Sequence, residues 1–193
     1  MWNGGSIMDK PALRAHFRAL RGRMDSRLRD SLSMRACSRV LESSLWAKAG
    51  SVLLYAPIGA ELDVRPLLEA GWRQGKTVLL PKCEENPRGL RLCRVEGWAA
   101  LSPGAWGILE PGEECLCLPP EAVDLALVPV VAMDSRGIRL GNGGGYYDRL
   151  MPRLPCAALM GFDQQLCGHL PREAHDAAAQ WIITPTQMTR LGE

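Results

Sequence analysis

The chain is poor in the residues that most often announce a function. It has three His and two Phe, and its seven Cys (Cys37, Cys83, Cys93, Cys115, Cys117, Cys156 and Cys167) include no C-x-x-C pair. Cys115-Leu-Cys117 offers half of a metal site with no second pair nearby, which disfavours metal binding there. No Ser-His-Asp or Cys-His spacing suggests a nucleophilic triad. No apolar run approaches the roughly 20 residues of a membrane span. The opening Met1-Trp-Asn-Gly-Gly-Ser lacks the charged and apolar regions of a signal peptide. The cysteine count is odd and several thiols lie in apolar runs, which points to small buried hydrophobes in a reducing cytoplasm. No internal repeat and no low-complexity segment is present.

What is present fits an enzyme-sized soluble chain. Its 193 residues suffice for one domain with a substantial core, with residues 1–9 expected as a flexible leader and Met8 as an alternative start. Residues 1–40 carry nine Lys and Arg against three Asp and Glu, whereas 41–193 carry fourteen against eighteen. A basic arm on a mildly acidic body suggests an anionic ligand near that arm.

Asp9 is placed to cap a helix from Lys10, with Pro11 tolerated in the first turn. Leu13, Phe17, Leu20, Met24 and Leu28 form an apolar stripe, and Lys10, Arg14, Arg18 and Arg21 a basic one beside it. A second helix is expected over 29–46 and another over 64–74, stopped by Gly75. Strands are expected at 51–55, at 77–80 (ended by Pro81), and at 90–95, 124–132, 156–162 and 181–183. Residues 101–120 read as loop, punctuated by Pro and Gly. Apolar strands alternating with helices predict a three-layer α/β/α sandwich on a mainly parallel sheet. The loops after Tyr55, Leu80, Ala132 and Ile183 should then meet at one cleft.

The most informative stretch is Arg139-Leu140-Gly141-Asn142-Gly143-Gly144-Gly145-Tyr146-Tyr147-Asp148-Arg149. A glycine loop running into a helix, here expected over 146–154, presents free N–H groups to a phosphate. The plain alternative is a tight strand-to-helix turn. It is not a Walker A loop, and Tyr146 stands where a dinucleotide fingerprint has its third glycine. The basic stripe is either a phosphate contact or a solvated helix face. It lacks interleaved aromatics, so no nucleic-acid stacking platform is visible. Glu61 and Asp63 are either helix-start carboxylates or acceptors for a ligand's N–H groups, and Trp106 is either packing or a pocket wall. Asp176, next to His175, is either turn chemistry or, with Asp148, a hard oxygen site for magnesium.

Taken together these residues resemble the 5-formyltetrahydrofolate cyclo-ligase (5,10-methenyltetrahydrofolate synthetase) family over about 10–186. The similarity is carried by Lys10-Pro-Ala-Leu-Arg14, LLYAPIGAELDVRPLLEAGWRQGKTVLLPK, DLALVPVVAMDSRGIRLGNGGGYYDRLMPRL and ALMGFDQQLCGHLPREAHDAAAQWIITPT. The resemblance implies ATP- and Mg2+-dependent conversion of 5-formyltetrahydrofolate to 5,10-methenyltetrahydrofolate. By matching position, Lys10, Arg14, Arg139, Leu140, Gly141, Asn142, Gly143, Gly144, Gly145, Tyr146 and Tyr147 would hold ATP. Glu61, Trp106, Gly143, Gly144, Gly145 and Tyr146 would face the folate, and Asp148 and Asp176 the magnesium. Arg139, Tyr146 and Asp148 would act in catalysis. Two departures stand out: Gln180 where a second acid is common, which weakens a two-carboxylate account of the last loop, and Met133 where an aromatic is common. A monomer without membrane or nucleic-acid partners is expected. Competing readings are a non-catalytic folate or nucleotide binder, an RNA binder using the basic helix, and a sugar-phosphate isomerase that needs no ATP.

Overall fold

Asp9 caps α1 (Lys10–Gly22) by accepting the Ala12 N–H at 2.8 Å, with Pro11 in the first turn. The computed structural model describes residues 9–85, 88–104, 108–173 and 176–192. The helix expected over 29–46 is two helices. Asp25 caps α2 (Ser26–Leu41), and the Ser43 hydroxyl accepts the Trp46 N–H to start α3 (Ser44–Lys48). Leu28 is 53% exposed, because α1 has ended before it and the apolar stripe does not carry across the break.

β1 (Ser51–Leu53), α4 (Arg65–Arg73) and β2 (Thr77–Glu85) form a parallel βαβ unit, with Gly75 at φ 68° ending the helix turn. β2 continues through Pro81 rather than stopping there. Val95 N–H donates to Val78 O, so the alternation turns the Pro81 nitrogen away from β3 (Arg88–Arg94). It faces the side where β1 has already ended, and the missing N–H costs no ladder bond. The expected loop at 101–120 contains β4 (Leu101–Pro103), β5 (Leu109–Pro111) and β6 (Cys117–Leu118). These strands are too short for a periodicity signal.

β7 (Leu125–Pro129) is shorter than the expected 124–132, because the chain leaves the main sheet after Pro129 and enters a second one. That small sheet holds β8 (Ala132–Asp134), β9 (Arg139–Leu140) and β11 (Leu166–Cys167). α5 (Tyr146–Leu150) also stops early. Pro152 follows in a tighter turn, where its ring would clash with a continuing α-helix. β10 (Ala157–Met160), β12 (Trp181–Ile183) and β13 (Met188–Arg190) complete the main sheet.

The main sheet has the order β13-β12-β10-β7-β1-β2-β3-β6, parallel from β12 to β2 and antiparallel at its edges. Alternate residues feed opposite cores. Val52, Leu54, Val78 and Leu80 pack with α2, α3 and α4, while Leu53, Leu79, Ala126 and Val128 pack with Leu150, Met151 and Leu154. Each fully buried Leu contributes about 1.5–3 kcal/mol to holding these layers. α1 covers neither face. Leu13 and Phe17 instead join Val131, Ala132, Ile138, Leu140, Cys167 and Leu170 on the small sheet.

The thiols do not all pack singly. Cys93 and Cys117 lie opposite each other on β3 and β6 and form a disulfide. Arg94 N–H donates to Leu116 O, which makes Cys93 and Cys117 a pair without ladder bonds, the closer of the two antiparallel arrangements. Cys117 is thereby removed from any Cys115-Leu-Cys117 metal site. No helix among the described residues is long and apolar enough to cross a membrane.

Candidate functional site

β1 and β7 are neighbours, yet the chain leaves them in opposite directions, to β2 on one side and to β10 on the other. Such a switch point opens a crevice beyond the strand C-termini. A cavity of about 480 Å3 lies there, and the loop after β1, the inner residues of β2, the segment after β7 and the glycine loop all reach it. α1 closes one side with Lys10, Arg14 and Arg18.

The glycine loop follows β9 directly. Gly143 (φ 100°) and Gly145 (φ 68°) adopt backbone that favours glycine. A Cβ at Gly141 would lie 2.3 Å from Arg139 Nη1, and one at Gly144 would lie 2.8 Å from the Tyr146 ring. α5 has only five residues, so loop amides rather than a long helix dipole supply most of the positive potential. α1 holds the loop through its carbonyls. Arg14 Nε donates to Gly141 O at 2.9 Å, and Arg18 Nη2 to Asn142 Oδ1 at 2.8 Å.

Two ion pairs border the loop. Arg139 Nη2 donates to Asp148 Oδ1 at 2.7 Å, and the same guanidinium lies 5.2 Å from the Tyr147 ring centre. Burial pulls the Arg139 pKa below the ordinary guanidinium value, while Asp148 pushes it back. Lys10 Nζ lies 2.9 Å from both Asp176 Oδ2 and Glu173 Oε1. Burial opposes its charge, but these carboxylates raise its pKa overall. Among the described residues, Arg139 Nε and the Tyr147 hydroxyl are buried without a hydrogen-bond partner. Both can donate, so the fold leaves donor capacity beside the loop.

Glu61 sits on the turn after β1, accepting the Ile58 N–H at 3.2 Å, and its carboxylate also meets the Asn142 side chain of the glycine loop. It is 8% exposed, and burial raises its pKa, opposed by Arg21 at 3.8 Å. Apolar wall comes from Ile58, Pro81, Leu90, Ile108, Leu109 and Val130.

The structure thus brings Lys10, Arg14, Glu61, Arg139, Leu140, Gly141, Asn142, Gly143, Gly144, Gly145, Tyr146, Tyr147, Asp148 and Asp176 to one cavity. Trp106 and His175 lie outside the described residues. Among the described residues no three His, Cys, Asp or Glu side chains cluster in a way that could hold an ion alone. Asp148 and Asp176 fit instead a magnesium ion carried by phosphates, which needs only one or two protein carboxylates. Gln180 stands apart from them: its side chain accepts the Ala157 N–H at 2.7 Å, at the start of β10 and far along the strand from the cavity end. Met133 is fully buried beneath the segment after β7.

Sequence reasoning missed Tyr55, Cys83 and Glu110, which also line the cavity. Glu110 sits on a strand read as loop, and Cys83 lies beyond the expected end of β2. Arg18 and Arg21 had a signal in their helical spacing, as part of a stripe read as either a phosphate contact or a solvated helix face.

Known proteins resemble this chain over most of its length. The model of the 5-formyltetrahydrofolate cyclo-ligase family matches residues 6–185. A probable 5-formyltetrahydrofolate cyclo-ligase of Schizosaccharomyces pombe is 28% identical over 95% of this chain and 98% of its own length. The 5-formyltetrahydrofolate cyclo-ligase of Escherichia coli K12 is 31% identical over 81% of this chain and 90% of its own. The solution structure of Aquifex aeolicus 5,10-methenyltetrahydrofolate synthetase superposes with a TM-score of 0.86 at 36% identity, covering 96% of this chain and 94% of that one. A match over nearly the whole length, with every block in family order, leads to one conclusion: the chain belongs to the 5-formyltetrahydrofolate cyclo-ligase family and is a ligase.

Proposed function

We propose that this chain uses ATP and Mg2+ to convert 5-formyltetrahydrofolate to 5,10-methenyltetrahydrofolate, releasing ADP and phosphate. The observation that carries this reading is the shared cavity. The glycine loop with its flanking cations, the buried carboxylate of Glu61 and an apolar wall line the same cavity. One enclosure thereby offers a polyanion site beside a site for a flat ring that has N–H groups.

A formamide carbonyl is a poor electrophile, and its oxygen leaves badly as hydroxide. Transfer of the terminal phosphoryl group of ATP to that oxygen addresses both difficulties. N10 of the folate then attacks the activated carbon and releases its proton to solvent, and the C–O bond breaks to expel phosphate as the methenyl bridge forms. Such a transfer asks the protein for alignment and charge stabilisation more than for covalent chemistry. The loop amides, Arg14 and Arg139 would hold the phosphates, and Lys10 would hold Asp176 in place. Glu61 would accept from the pterin N–H groups, and Tyr146 would lie between the two substrates. A magnesium ion held by Asp148 and Asp176 would neutralise phosphate charge.

The test mixes purified protein, 5-formyltetrahydrofolate, ATP and magnesium and follows methenyl absorbance in the near ultraviolet. Product should form only when ATP is present. Absence of product, or equal product without ATP, would overturn the reading.

A further inference from the structure

The β8–β9 turn connects parts of the cavity wall that lie far apart in sequence. Asp134 is fully buried, and its two oxygens serve different partners. Oδ1 accepts the N–H groups of Arg136 at 3.0 Å and Ile138 at 3.2 Å, which shapes the turn. Oδ2 accepts the Leu170 N–H at 3.0 Å and Arg136 Nη2 at 2.6 Å, and Arg136 Nη2 also donates to Leu170 O at 2.8 Å. At the tip, Gly137 O accepts the Ala179 N–H at 3.0 Å. Gly137 has φ +79°, and a Cβ there would stand 2.6 Å from Ala179 O.

One turn therefore grips Leu170 and Ala179, on either side of Glu173 and Asp176, the partners of Lys10. The same turn leads straight into β9, where Arg139 holds Asp148. We infer that Asp134 and Arg136 are positioning residues: they set the spacing between the Arg139–Asp148 pair and the Lys10–Asp176 pair, and so the fit of the site to a nucleoside triphosphate. This rests on the proposed function for the identity of the ligand. The folate wall, with Glu61 on the turn after β1, shares none of these hydrogen bonds.

The chemistry separates the two halves of the contact. In Asp134→Asn, Oδ1 can still shape the turn, but an amide NH2 at the Oδ2 position would meet the donors of Leu170 and Arg136. Arg136 is itself 40% exposed, so Arg136→Ala removes the outer arm of the grip with little loss of packing.

The experiment measures binding of a non-hydrolysable ATP analogue by calorimetry, and KM for ATP and for 5-formyltetrahydrofolate, in wild type, Arg136→Ala and Asp134→Asn. Arg136→Ala should weaken analogue binding and raise the ATP KM by about tenfold, the loss of one to two charge-assisted contacts' worth of alignment, with the folate KM near wild type. Gly137→Ala should act in the same direction, and it serves if Asp134→Asn does not fold. Equal rises in both KM values, or a lower Tm with analogue affinity unchanged, would show a merely structural role and overturn the inference. Failure of the ring-closure reading would show separately, as a wild type that binds the analogue but forms no methenyl product.

Discussion

Arg139 and Asp148 are nine residues apart in sequence and joined at 2.7 Å, one from the start of β9 and the other from the first turn of α5. The glycine loop spans the gap between them. The pair is thus a buckle across the base of the loop: it fixes where the loop begins and ends.

Asp148→Asn removes the charge that offsets the buried Arg139 guanidinium. Turnover should fall by at least about two decades if that carboxylate also meets the metal, as expected for a group acting on transferring phosphoryl. The fold should survive with a lower Tm, since Asp148 is a quarter exposed and the lost contact is worth about 1.5–3 kcal/mol. Steady-state rates at saturating magnesium, beside a thermal melt, check both. Wild-type turnover would contradict the assignment.

Arg14→Ala should weaken ATP more than folate, because Arg14 holds Gly141 O on the nucleotide side of the cavity. The expected loss is about one to two decades in ATP affinity. A parallel loss in both substrates, measured by titration, counts against it.

Gly145→Ala should disturb the loop through its backbone. With φ 68° and Arg149 Nη1 3.0 Å from the added carbon, the substitution should cost about 1–2 kcal/mol. The ATP KM should rise while the melting curve moves only a few degrees. An unchanged ATP KM would mean that the loop geometry is not used.

Glu61→Gln should change the pH dependence of stability. Burial raises the Glu61 pKa above its ordinary 4.5, so the folded chain binds this proton more tightly than the unfolded chain does. The stability from that proton is complete below pH 4.5 and is lost as pH rises through the higher folded value. The variant carries no such proton, so its Tm should gain on wild type as pH rises across that window, while its folate KM rises. Thermal melts of both proteins across that window, with folate kinetics at neutral pH, check it. A Tm difference independent of pH would show that Glu61 is not buried as described.

Cys83→Ser should retain turnover. The thiol lines the cavity, but burial and Glu110 raise its pKa, which leaves little thiolate for attack. A folded variant with no turnover would point to a covalent role and against direct phosphoryl transfer.

Much of this was legible in the sequence where local chemistry and tertiary structure agree. Asp9, Leu13 and Phe17 define α1, and Gly75 ends the turn after α4, because caps and stripes act within a few residues. The glycine loop declared itself through composition. The small sheet did not. β9 and β11 have two residues each and gain their form from partners brought in by the fold. Pro81 misled because its effect depends on where β1 ends, which is a property of the sheet. Asp134 had no signal at all: an Asp in a turn looks the same whether it bonds locally or holds a segment that lies 36 residues away.

The seating of α1 on the small sheet rather than on the main one has a further consequence. Lys10, Arg14, Arg18 and Arg21 ride on a single rod anchored by Leu13 and Phe17 beside the very strand that leads into the glycine loop. The cations and the amides therefore share one mounting. Much of the disorder that a polyanion would otherwise have to suppress on arrival has already been removed when the chain folds.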